Sequence, residues 1–131
     1  MKTAATLLLR LGLALLFGVA GTAKFAGLPE PVSLFQSLGM EPGGRYLIGF
    51  LELLAAFLLL LPFSITSGAL LGWGILSGAL LAHFTKVGAT GPMMPVTSAA
   101  AFGWLGCALL LFLRRDQIGF IRQMFDRGNS C

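Results

Sequence analysis

Apolar residues run along this chain in four long stretches, each closed by helix breakers or by arginines. The first covers residues 4–25 and ends at Gly27-Leu28-Pro29-Glu30-Pro31. At 1.5 Å per residue it is roughly 30 Å long, the depth of a bilayer's hydrocarbon core. The second, residues 45–61, is shorter and is closed by Pro62. The third, residues 65–86, runs into the breaker-rich GATGPMMP segment, and the fourth, residues 96–113, stops at Arg114-Arg115. Between the first two, residues 32–38 read as a turn or two of interfacial helix with Leu34, Phe35 and Leu38 toward apolar material. The tight Pro62-Phe63-Ser64 connection makes the second and third spans antiparallel neighbours. In the tail, residues 116–131, Ile118, Ile121, Met124 and Phe125 share one side, the pattern of an amphipathic helix lying on a membrane surface. The expected fold is all-α: an antiparallel four-transmembrane-helix bundle over residues 1–115, then the tail.

Composition narrows the class. Of 131 residues, 56% are hydrophobic and only 11% charged, too little polar surface for a soluble domain and too short a chain for a second one. The net charge of +4 is spread over segment ends, so it reports topology and contact with membrane lipid, not nucleic-acid binding. Lys2, the Pro62 turn, Arg114, Arg115, Arg122 and Arg127 fall on one side; Glu30, Glu41, Arg45 and Lys86 fall on the other. The first side is richer in cations, which puts both termini in the cytoplasm. Arg10 interrupts the apolar run of residues 7–20, so this segment reads as a retained span and not as a cleaved leader. Cys107 and Cys131 form no CxxC motif, and Cys107 reads as a small packing residue.

The informative residues are the charges inside the apolar stretches. A cation near the bilayer centre costs roughly 2.5–3.5 kcal/mol on insertion scales, and such groups face a protein interior or water. Arg10, Phe17 and Lys24 recur every seven residues and share one stripe, with Gly21 between the last two. The second span carries Glu52 on a stripe with Arg45 and Gly49, and the third carries His83 on a face with Lys86. Lys24 and His83 sit about one turn from the outer ends of their spans, and Glu52 sits about 10 Å in. All three can therefore meet in the outer half of the bundle, with Arg45 and Lys86 at the mouth. A buried carboxylate needs a cation, and Lys24 is the first candidate partner, Arg45 the second. An acid, an imidazole and a cation together suit proton exchange with a polar ligand head such as a quinone, whose carbonyls need donors. The bland alternative is a Lys24–Glu52 pair that only locks two helices in register. Met93-Met94 beside His83 is too little for a metal site, and no P-loop, GxGxxG or Ser-His-Asp arrangement occurs. Gly68-xxx-Gly72 and Gly74-xxx-Gly78 are spaced for close helix packing in lipid.

Arg10 with Gly18-xx-Gly21-xx-Lys24-Phe25, then Gly49-xx-Glu52, then Ala82-His83 with Pro92 and Pro95 beyond, together resemble the DoxX-like family of small four-helix membrane proteins. The resemblance reaches to Arg115 and leaves out the tail. It implies a bundle in the bacterial inner membrane, with relatives that include a quinone-linked subunit of thiosulfate oxidation, a component of a membrane oxidoreductase complex and assembly helpers for receptors. Two readings follow. In one, the chain is a subunit of a redox-linked complex that binds a quinone or another small polar-headed lipid through Lys24, Glu52, His83, Arg45 and Lys86, beside a soluble or membrane oxidoreductase partner. In the other, it is a non-catalytic scaffold or assembly factor whose glycine-rich faces hold a partner protein or a second copy of itself. A third reading, a small transporter or proton pathway, has no visible inverted repeat in the sequence behind it.

Overall fold

The structure, a computed structural model, describes residues 2–87 and 94–129. It consists of α1 (Lys2–Ala26), α2 (Pro29–Ser37), α3 (Gly43–Leu60), α4 (Ile65–Ala82) prolonged by a π-helical turn (His83–Val87), α5 (Met94–Leu113) and α6 (Arg115–Gly128). Four of these contain segments long and apolar enough to cross a membrane: Ala4–Ala26, Gly43–Leu60, Ile65–Thr85 and Pro95–Leu113. The chain is thus the multi-pass four-helix membrane protein that its apolar pattern predicts, with a short helix after the first span and a further helix at the C-terminal end. The third span departs from the expected continuous α-helix. Its last turn widens to π geometry beginning at His83, a distortion often found at functional sites.

Helices α1, α3, α4 and α5 close a ring in that order, each antiparallel to its neighbours. Phe17 crosses the centre from α1 and is only 1% exposed. Its ring fills the gap left by Gly72, where a Cβ would sit 2.5 Å from Phe17 Cζ and 3.3 Å from Cys107 Sγ. Cys107 is therefore the packing residue expected of it. On α5, Gly103 and Gly106 admit Leu16 and Leu13 of α1. Trp104 donates to Ser77 Oγ at 2.8 Å and packs on Trp73, joining α5 to α4.

The glycine pairs of α4 do not all pack. Gly68 lies against the backbone of Leu59 and Gly72 against Phe17, but nothing stands within 4 Å of a Cβ built on Gly74 or Gly78. The reason is angular. At 100° per residue the two pairs point about 120° apart, so one helix face cannot bury both.

Both ends of the α1–α3 pair are tied by arginine. Arg10, near the start of α1, donates from Nη2 to the Leu60 carbonyl at the end of α3, at 2.8 Å. Arg45, near the start of α3, donates from Nη1 to the Lys24 carbonyl at the end of α1. Each guanidinium satisfies a helix-terminal carbonyl and meets the negative end of a helix dipole. Replacing Arg10 by leucine should lower stability by about 0.5–1 kcal/mol, read as a small drop in melting temperature in detergent micelles. Gly27 at φ 70° turns α1 into α2 through bonds from Gly27 N to Lys24 O and from Leu28 N to Ala23 O, a closure that needs a residue without a Cβ.

In α6 the exposed Met124 and Phe125 carry the apolar side of the tail. The side chains of Ile118 and Ile121 lie outside the described residues.

Candidate functional site

Lys24 and Glu52 meet because α1 and α3 approach closely at two glycines. A Cβ on Gly21 would stand 2.9 Å from the Gly49 carbonyl, and one on Gly49 would stand 3.1 Å from Lys24 Cβ. Lys24 and Glu52 each follow their glycine by three residues on helices that run in opposite directions. Side chains lean toward the N-terminus of their own helix, so these two lean toward each other. The Nζ of Lys24 donates to Glu52 Oε1 at 3.0 Å and lies 2.8 Å from Oε2. Oε2 is buried and receives no aligned hydrogen bond, while the ammonium keeps donors to spare.

His83 comes from the π-turn of the third span. It is 1% exposed, and its Nδ1 has no hydrogen-bond partner. A buried imidazole nitrogen left without a partner carries a desolvation cost that a bound polar group would relieve.

Lys24, Glu52 and His83 line one cavity of about 810 Å³. Apart from Thr85, whose hydroxyl donates to the Leu81 carbonyl, its other walls are apolar: Leu16, Phe17 and Ala20 of α1, Ile48 and Leu51 of α3, Ile75 and Leu76 of α4, and Val96 and Ala100 of α5. Short helix α2 adds Leu34 and Phe35, with Phe35 buried, and its capping residue Leu38 follows, so this segment roofs the cavity. A largely apolar chamber of this size with three ionisable side chains in its wall has the shape of a small-molecule site.

One of the predicted site residues, Arg45, is placed differently. Arg45 does not turn to Glu52. Its Nε donates to Glu41 Oε1 at 2.8 Å and Oε2 at 2.9 Å, and its guanidinium lies 4.5 Å over the Tyr46 ring. Glu41, four residues before it, offers a carboxylate that costs no reach into the bundle. Through its bond to the Lys24 carbonyl, Arg45 steadies the backbone that carries Lys24 and stays outside the cavity wall. Lys86 falls in the π-turn, and its side chain lies outside the described residues, as does Met93.

Gly21 and Gly49 set the spacing of the pair, a role that sequence reasoning gave only to glycines of the third span. Neither stands in a GxxxG repeat; the available signal was that each precedes an ionisable residue by three. Gly74 and Gly78, expected at a helix interface, instead line the cavity.

Residues 8–109, well over half of the chain, match the model of the DoxX-like family. No curated protein and no solved structure matches the chain.

Proposed function

We propose a function for a chain that belongs to the DoxX-like family: it is the ligand-binding membrane subunit of a redox-linked complex, and it holds the quinone-type head of a small amphiphile. The supporting observation is the convergence of the Lys24–Glu52 ion pair and of His83, whose Nδ1 lacks a partner, on one largely apolar cavity. The residues fit such a head. Its carbonyl oxygens need donors, which the Lys24 ammonium and the His83 ring offer, and its ring needs an apolar slot, which Phe17, Phe35 and Leu76 line. A quinone supplies two-electron chemistry coupled to protons, and the electrons come from a partner oxidoreductase. Glu52 Oε2, with no aligned hydrogen bond, is the atom placed to hold or pass a proton at the cavity wall. Read with the loop cations, the site faces the outer side of the bacterial inner membrane and both termini are cytoplasmic.

Glu52→Gln tests this reading, because it keeps shape and hydrogen-bonding capacity and removes the charge. Mass spectrometry of the molecules that accompany the purified protein should show the head-bearing ligand reduced about tenfold, from a protein that still folds but melts at a lower temperature, because the Lys24 ammonium keeps a carbonyl acceptor and loses its counter-charge. If the variant retains the same molecules in the same amounts, the pair is a helix lock, and the scaffold reading takes its place.

A further inference from the structure

The cavity does not end at its polar groups. It continues along α4 past Gly78 and Gly74 to Leu81 and Leu70, both of which face outward from the bundle. These four residues lie on one face of α4. Because Gly74 and Gly78 meet nothing within 4 Å, that face is a furrow, with Leu70 and Leu81 as raised ends. Ile48 and Leu51 supply the α3 wall of the same space. The furrow thus joins the enclosed His83, whose Nδ1 lacks a partner, to the lipid-facing side of a spanning helix.

We infer that this furrow is the exit groove for a single hydrocarbon chain, so that the site selects one-tailed amphiphiles over two-tailed membrane lipids. The inference rests on the proposed head-binding reading. Gly74 and Gly78 are one turn apart, about 6 Å along the axis, and a Cβ built on either meets nothing within 4 Å, so the missing side chains leave contact room for an alkyl chain along this face. A second chain would have no trough and would lie over Leu70 or Leu81. Gly74 and Gly78 are the specificity-determining residues: they touch the tail and leave the head to Lys24, Glu52 and His83.

The test compares a dimethoxy-methyl-benzoquinone bearing a decyl chain with the same ring lacking the chain, on the full chain in detergent micelles. Binding is read by quenching of Trp73 and Trp104, the two tryptophans of the protein. In the double variant Gly74→Leu/Gly78→Leu, affinity for the decyl compound should fall about tenfold while affinity for the bare ring stays the same. Both sites have open space, so the variant should fold; Gly78→Ala, which fills less of the trough, should lose less and serves as the second point. An excess of a diacyl phosphatidylglycerol should not displace the decyl compound. An unchanged preference for the chain, an equal loss for both rings, or displacement by the diacyl lipid overturns the exit groove. If the unsubstituted protein binds neither ring, the head-binding reading itself fails, and the groove with it.

Discussion

Lys24→Ala is expected to destabilise the protein by about 3–5 kcal/mol, because it strands the Glu52 carboxylate in a wall that has no other lysine or arginine among the described residues. Both side chains are largely shielded, so water offers Glu52 little compensation. The decisive comparison is a pair of double variants. Lys24→Met/Glu52→Leu removes both charges and keeps apolar volume; its stability should match or exceed that of the unsubstituted protein. Lys24→Met/Glu52→Gln keeps a polar group without a charge and should fall between. Unfolding by denaturing detergent in mixed micelles measures all of them. If Lys24→Ala alone costs less than about 1 kcal/mol, the pair is hydrated and is not the shielded pair described above. The apolar double variant also separates fold from function: it should stay folded and carry none of the bound head-bearing molecule.

Gly21→Leu should have the second large effect. Even a single methyl group at Gly21 meets Leu53 Cγ at 2.7 Å and the Gly49 carbonyl at 2.9 Å. A side-chain tip can swing aside, but a carbonyl on a facing helix cannot, so α1 and α3 must part. Gly21→Ala should cost about 1–3 kcal/mol, and Gly21→Leu should cost more and pull Lys24 out of reach of Glu52. Gly18→Ala, one turn away on the same helix, has open space and should be neutral or slightly stabilising through helix propensity. The two alanine variants, compared by thermal unfolding, isolate the close approach from the general effect of a glycine in a helix. Equal behaviour at positions 18 and 21 would mean that the helices do not touch there.

The spans and the Lys24–Glu52 contact were legible because an isolated charge in an apolar helix has few places to go. The depth of each group could be counted from the helix ends, and opposite charges at matching depth on adjacent spans find each other. Arg45 was not legible in the same way. It shares a stripe with Glu52, and only the course of the loop before α3 brings Glu41 close enough to claim it. The glycines of α4 show a further limit. Gly68-xxx-Gly72 and Gly74-xxx-Gly78 are equivalent as spacing, and the choice of the buried pair belongs to α3 and α1, whose Leu59 and Phe17 press on the first. The π-turn at His83 left no mark in composition or periodicity; it is a property of the third span's end against α2 and the cavity.

The two arginine ties bear on how the protein is made. Arg10 reaches Leu60, Lys24 reaches Glu52, and Arg45 reaches Glu41 and Lys24, so each of these ionised groups finds its partner within the first sixty residues. A nascent chain that has delivered α1 and α3 to the lipid can already pair Lys24 with Glu52 and Arg45 with Glu41, and give Arg10 a carbonyl acceptor, as a self-contained hairpin before α4 leaves the ribosome. Later synthesis then adds His83 and the second half of the chamber to a hairpin whose two ion pairs are already formed.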